Sequence, residues 1–302
     1  MQNTRKKQLV PANCEQSFAL YEMQYALLDG VFESKKDVKD AELRFRKIEG
    51  YYKWRHPDTG VVYNDAVHLK LLAPYTLNPQ AESILLAIIK MSGIDGLRID
   101  PSQPMLPLFD PPTGNARIKD TVQTRCTKYE LLKMAGMSTG KHDYQQLNFY
   151  LEQLSHIMVD WENTASGWSG SSWFLSHSKN EDDKLIIRLN WRLAGAVFSE
   201  YDYAKIDLNE RHALKKDPSK TLHRWLSAHL WASKSEFIRY ETLIKHIWIG
   251  NASGSTQRMR LNRLKNEILP ELDKLPGWTI KQTADGAYII HHKQENKLSG
   301  EQ

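Results

Sequence analysis

The sequence predicts an α+β protein made of two similar units in tandem. Three observations lead there. Helical and strand-like periods alternate along the chain rather than segregating. A cap residue followed by proline opens a core-facing helix twice, at Asn78-Pro79 and at Asp217-Pro218. After each, one order of elements recurs: helix, strand, helix, tight polar loop, helix, β-hairpin. That order is the layout of a winged helix, so the expected fold is two tandem winged-helix (helix-turn-helix) domains. The expected boundaries are an N-terminal arm at 1–50, a first domain at 51–199 and a second at 200–302.

Before Tyr51 the stretch Glu15 to Leu28 reads as one helix, and Glu33 to Lys47 as a charged helix or linker. YYKWRH and VVYNDAVHL read as two strands joined by Pro57-Asp58-Thr59-Gly60. Asn78 suits an N-cap and Pro79 the first helical position. Ile84, Leu85, Ile88 and Met91 then recur at helical spacing, with Gly93 as the expected stop. Residues 94–120 hold five prolines and read as a long loop. TVQTRC at 121–126 is strand-like, and Thr127 with Glu130 has the spacing of a capping box. A helix to Ala135 stops at Gly136, and a longer one at about 143–157 buries Leu147, Tyr150, Leu151 and Leu154. MVDW and SSWFLSH alternate as strands, and LIIRL at 185–189 as another.

In the second half Leu222, Trp225, Leu226 and Leu230 form a core face. EFIR is a short strand, and the helix from Tyr240 to Ile249 stops at Gly250. A polar loop leads to a helix at about 255–269, and WTIKQT, Ala284-Asp285-Gly286 and AYIIHH make a hairpin.

The helix STQRMRLNRLKNEIL carries Arg258, Arg260, Arg263 and Lys265, with no acid before Glu267. Most basic helices are solvated surface helices. Here the interleaving acids are missing, and the helix is second in an expected helix-turn-helix, the position that enters the major groove. Leu261, Leu264, Ile268 and Leu272 are expected on one face, with Thr256, Arg260, Arg263 and Glu267 opposite. Arg260 and Arg263 are then the base-reading candidates, since Arg fits guanine bidentately. Arg258 and Lys265 at the margin suit phosphates. Ser255 and Thr256 at the helix start offer hydroxyls and N–H groups to phosphate. Lys281 by the wing tip is a further DNA candidate.

The matching helix of the first half is polar but little charged. Lys141, Gln145 and Gln146 are its DNA candidates, while Phe149 points to protein contact, and the two readings stand even.

Some functions are disfavoured. The net charge of +5 favours acidic partners only weakly. Cys14 and Cys126 make neither a disulfide framework nor a zinc pattern and read as free thiols. No apolar run approaches the roughly 20 residues that span a membrane. No apolar run follows the basic start, so no signal peptide is expected and the protein is expected to be cytoplasmic. GMSTGK at 136–141 has the wrong spacing for a phosphate loop, and His142 stands where Ser or Thr would bind magnesium. No metal, cofactor or catalytic constellation is expected.

The stretch 252–280, ASGSTQRMRLNRLKNEILPELDKLPGWTI, resembles the C-terminal signature of the RepC initiators of IncQ-type plasmids. A polar A-S-G-S-T loop, spaced arginines, L-P-E-L and G-W-T carry it. Looser similarity reaches back to about residue 50, and residues 1–50 are not covered. The resemblance implies a tandem winged-helix initiator, not an enzyme, that binds directly repeated iterons in a plasmid origin. It implies help in opening an adjacent A·T-rich region and in loading the replicative helicase, with primase as a further partner. DNA-contacting roles carry over to Thr256, Arg258, Arg260 and Arg263, and a homodimer is left open. A winged-helix transcriptional regulator is the first alternative, and a DNA nickase or primase the second.

Overall fold

The computed structural model describes residues 18–27, 32, 46–55, 62–73, 77–99, 121–163, 168–179, 182, 184–199, 203–230, 235–248, 250 and 252–293. Over these residues the chain is mixed α+β, with helices packed on small antiparallel sheets.

β1 (Phe18–Glu22) leads into α1 (Met23–Leu27), so the single helix expected over 15–28 is a strand and a short helix in its described part. Ala19, Leu20, Tyr21 and Glu22 are buried in succession. Burial on both faces suits a strand held between layers. β1 pairs antiparallel with β10 (Tyr203–Asp207), from Phe18↔Asp207 to Glu22↔Tyr203.

β2 (Arg46–Arg55) and β3 (Val62–Ala73) form the expected hairpin, whose turn at 57–60 lies outside the described residues. At the start of α2 (Pro79–Asp95), Asn78 Oδ1 accepts the Ala81 N–H at 2.9 Å, as the cap reading expects. The helix does not stop at Gly93. It runs to Asp95, and Ile84 to Ile89 are all buried because this helix is the centre of the first core. β4 (Leu97–Ile99) pairs with β5 (Thr121–Cys126), and residues 100–120 of the expected loop lie outside the described residues.

α3 (Lys128–Met134) carries the expected capping box: Thr127 N–H donates to Glu130 Oε2 at 2.7 Å and Glu130 N–H to Thr127 Oγ1 at 3.1 Å. Gly136 then turns the chain at φ +68°, and a Cβ there would lie 2.4 Å from the His212 ring, so only glycine fits. α4 (Lys141–Ser155) buries Leu147, Tyr150, Leu151 and Leu154, as its period predicts.

The expected strand SSWFLSH is two strands in two sheets. β6 (Met158–Asn163) and β7 (Trp168–Trp173) extend the first hairpin into a sheet of order β2-β3-β6-β7. β8 (Leu175–Lys179) and β9 (Leu185–Leu189) belong to a sheet of order β4-β5-β9-β8. Phe174 sits between them, its N–H donating to Ile157 O at 2.8 Å and its carbonyl accepting from Asn190 N–H at 3.1 Å. Phe174 and Leu175 are adjacent and both buried. With β7 in one sheet and β8 in the other, the chain changes sheet at Phe174.

α5 (Trp191–Val197) and β10 lead to α6 (Leu208–Ala213) and α7 (Asp217–His229). The second unit continues with β11 (Ser235–Ile238), α8 (Tyr240–Ile247), α9 (Gly254–Arg263), a π-helical turn (Leu264–Ile268) and α10 (Leu269–Leu272). β12 (Trp278–Gln282) and β13 (Tyr288–His292) close it, in a sheet of order β11-β13-β12. In the second unit β11, ahead of the helix pair, bonds to β13, the last strand of the closing hairpin. In the first β5 bonds to β9 of the β8–β9 pair, whereas β6 and β7, the expected hairpin, join β3. Asp217 is not the cap of α7: Lys216 holds that position and makes no side-chain cap bond. Glu271 of α10 braces this start from a distance, accepting Lys215 N–H at 2.6 Å and the Ser219 hydroxyl.

Two apolar cores result. One gathers residues from Ala19 to Leu208 with Ala228, and the other runs from Leu214 to Ile290. Where they meet, Glu82 of α2 binds Arg211 of α6 at 2.7 Å and Arg224 of α7 at 2.8 Å, all three fully buried.

Candidate nucleic-acid interface

α8 ends at Ile247 with Trp248 as its C-cap, and Gly250 turns the chain at φ +85°. Ser253 then occupies the cap position of α9 without a side-chain cap bond, and no acid lies in the first turn. The first N–H groups of α9, with the exposed Ser255 hydroxyl beside them, therefore have no carboxylate on them. The matching start of α4 differs. There Asp143 accepts Gly140 N–H at 3.0 Å and the Ser138 hydroxyl at 2.5 Å. Those two bonds, the Ser138 one foremost, hold its carboxyl below the usual range, so the helix start carries a fixed negative charge. The GMSTGK loop is thus closed by its own aspartate.

Leu264, Ile268, Leu269 and Leu272 anchor the basic segment in the second core. The segment is not one continuous α-helix as expected. Pro270 has no N–H, and its ring crowds the carbonyl four residues back. The helix widens just ahead of it: Leu269 N–H bonds to Leu264 O across a π turn. On a straight α-helix Leu269 would stand about 140° from Leu264. The widened turn brings it inward, where it is 3% exposed.

The face toward solvent is not the expected one. Taking about 100° per residue from Leu264, Ser255, Met259 and Asn262 lie about 140–180° away. They and Asn266 are exposed, Met259 by 54%. Arg260 and Arg263, expected opposite the core, are half-buried on one flank with Thr256. Both guanidinium groups lie 5.8 Å from the Trp248 ring centroid, and Arg260 donates to Gly250 O at 3.0 Å. Glu267, 3.8 Å from Arg263, completes that flank and takes a 3.0 Å bond from Lys216. Arg258 and Lys265 are exposed on the other flank. The segment therefore has a charged edge on each side of an uncharged strip.

Lys281 is exposed on β12 but sits below the turn, cross-strand from Ile289, which in turn faces Phe237. In the first unit Lys141 and Gln145 are exposed on α4 and Gln146 is half-buried. Phe149 is 53% exposed on the same helix, and Glu152 is exposed one turn on. The structure thus gathers Ser255, Thr256, Arg258, Arg260, Arg263 and Lys265 on one segment and leaves Lys281 and the α4 residues on other elements. Reading residues alone missed Trp248, Met259, Asn262 and Asn266, although a strict helical wheel about Leu264 finds the last three.

Among the described residues no group of three or more His, Cys, Asp or Glu could hold a metal ion. Among them no helix is long and apolar enough to cross a membrane. Cys126 is buried with its thiol pushed up to about 11, by burial first and Glu130 second.

Among solved structures the chain is similar to a crystal structure of selenomethionine derivatives of domains 2 and 3 of RctB. The TM-score is 0.49 at 7% identity, over 86% of this chain and 94% of that one. A second crystal structure of RctB domains 2–3 gives a TM-score of 0.45 at 8% identity, over 88% and 95%. No match to a curated protein was found. The family model of replication protein C (RepC) matches residues 22–294, reaching well into the segment that the residue motifs left uncovered. The match spans nearly the whole chain, and the chain belongs to the RepC family of replication proteins.

Proposed function

We propose that the chain is a plasmid replication initiator that binds directly repeated iterons in double-stranded origin DNA, with α9 lying in the major groove. The observation that carries the DNA reading is the division of α9 and its π turn into two charged edges and an uncharged strip. A major groove is bounded by two phosphate strands with base edges between them. Arg258 and Lys265 suit one strand, and Arg260 and Arg263 the other. The recurring order of helix, strand, two helices and hairpin supports reading both units as winged helices, in domains at 51–199 and 200–302. Copies arrayed along repeats bend the origin and stress neighbouring A·T pairs. The protein acts in the cytoplasm, without enzymatic activity, and brings the replicative helicase and primase to the opened strand.

Salt dependence tests the groove reading. Replacing Arg258 and Lys265 by Ala is expected to lower the slope of log affinity against log salt by about two. Arg260→Ala with Arg263→Ala is expected to lower it similarly, with equal loss on any duplex. Unchanged slopes for both pairs would remove α9 from the DNA. Lys141→Ala with Gln145→Ala is expected to change affinity less than about threefold, because Asp143 and Glu152 keep that helix near neutral. Origin opening is read by single-strand-specific nuclease footprinting of plasmid DNA, where no newly cut bases would sink that step.

A further inference from the structure

We propose that Asn262 and Met259 read the sequence of the DNA: Asn262 an adenine, and Met259 the methyl group of a thymine in the same or the next base pair. The inference rests on the reading that α9 enters the major groove. It moves base recognition away from Arg260 and Arg263.

Recognition needs side chains aimed at the groove floor. The arginines are not aimed there. Arg260 is tied to Gly250 O, and both guanidinium groups stand beside Trp248 on a flank. The strip between the flanks holds Ser255, Met259, Asn262 and Asn266, all exposed. Asparagine is the side chain whose amide matches adenine, donating to N7 and accepting from the N6 amino group. An exposed apolar side chain suits the thymine methyl, which no other base offers. Met259 and Asn262 are three residues apart, so they are neighbours on the helix surface, separated by about 4.5 Å along the axis. Base pairs stack about 3.4 Å apart. Two such side chains therefore meet one A·T pair or two adjacent pairs.

Asn266 prepares the contact. Its Nδ2 donates to Asn262 Oδ1 at 2.7 Å. That bond restrains the exposed Asn262 amide and leaves its Nδ2 and the second lone pair of Oδ1 to bond a base. Fixing the amide before binding lowers the entropic cost of the contact. Asn266 is thus a positioning residue. No charge occupies the strip, so neither Asn262 nor Met259 adds to non-specific affinity.

The test is selection from a random-sequence duplex library with the full chain, followed by competition binding on the selected duplex. The wild type is expected to select a site with a fixed A·T pair. In Asn262→Ala, discrimination at one position should fall roughly 5- to 150-fold. Affinity for an unrelated duplex and its salt slope should stay unchanged. Asn266→Ala should weaken discrimination at that same position only. Replacing the thymine by uracil, which lacks only the methyl group, should weaken the wild type and leave Met259→Ala unaffected. Asn262 and Met259 are exposed, so the variants keep the fold, and a thermal melt checks it. If Asn262→Ala selects the same site with the same discrimination while the Arg258, Lys265 pair still sets the salt slope, the inference falls and the groove reading stands. If that slope too is unmoved, both fall.

Discussion

The Glu82→Ala chain is expected to lose about 3–5 kcal/mol of stability, the cost of breaking a buried ion pair from one side. Glu82 holds two cations, Arg211 at 2.7 Å and Arg224 at 2.8 Å. Arg cannot shed its proton to escape burial. Without the carboxylate, Arg211 keeps only neutral acceptors: Ser83 Oγ, Lys220 O and Pro79 O, at 3.0–3.1 Å. Arg224 keeps the carbonyl of Ala26. Two positive charges then share an apolar seat with no counter-charge on them from Glu82. Glu82→Gln should cost less, because an amide oxygen still accepts one bond. Replacing Glu82, Arg211 and Arg224 together by Leu, Met and Met should recover much of the loss, since burial of the charges is itself costly. Urea midpoints of the three chains decide. A Glu82→Ala midpoint equal to the wild type's would mean that the arginines find other partners.

The triad also fixes geometry. Glu82 belongs to α2 of one unit, and Arg224 to α7 of the other. An ion pair at 2.8 Å joins Glu82 Oε1 to Arg224 Nε, and a charge-assisted hydrogen bond joins Glu82 Oε2 to Arg211 of α6. Packing of leucines alone would tolerate sliding, whereas a buried carboxylate between two guanidinium groups allows one arrangement.

Sequence legibility followed locality. Asn78, the Thr127–Glu130 box and the left-handed glycines Gly136, Gly250 and Gly286 were legible because each acts within a few residues. The α7 start was not, because the acid that braces it is Glu271, more than fifty residues on, within the L-P-E-L motif. The motif could be recognised, but not that its acid serves another helix. The double role of Ser171 to His177 was hidden for a related reason. Alternation tells which way side chains point within a strand, not which sheet receives it, and the change shows only in the backbone partners of Phe174. On the basic helix the charges are legible, and a strict wheel of about 100° per residue from Leu264 also gives their direction: Met259, Asn262 and Asn266 opposite the core, Arg260 and Arg263 on a flank. Setting Arg260 and Arg263 opposite the leucines departs from that period; what the sequence does not show is Trp248, which receives both guanidinium groups on the flank. Arginine's long stem lets a tertiary partner decide its course.

Glu210→Ala is expected to cost about 2–6 kcal/mol, because it strands two buried donors at about 1–3 kcal/mol each. Glu210 Oε2 accepts His223 Nε2 at 2.8 Å and Trp278 Nε1 at 2.9 Å. His292 stacks on Trp278 at 4.0 Å and lies 3.8 Å from Glu210 Oε1. One carboxylate thus ties α6 to α7 and to the closing hairpin. The signature G-W-T puts its tryptophan here, so that residue is structural. Acid is expected to loosen the cluster in two stages. Burial, the largest influence, lowers His223 below its ordinary 6.5 despite the Glu210 bond, helped by Arg211 and His292. Below pH 6.5 the unfolded chain therefore binds a proton that the folded chain refuses, and stability falls. Burial alone would raise Glu210, but its bonds with His223 and Trp278 and the nearby His292 imidazole outweigh this and hold it at about 2. Its contribution is complete above the ordinary 4.5 and is lost as pH falls from there through about 2. Urea midpoints from pH 7 to pH 3 should therefore decline in both ranges. Glu210→Gln should remove the lower stage and leave the His223 stage, while His223→Gln should do the reverse. A Glu210→Gln profile that still falls as steeply below pH 4.5 would place the acid-sensitive carboxylate elsewhere in the fold.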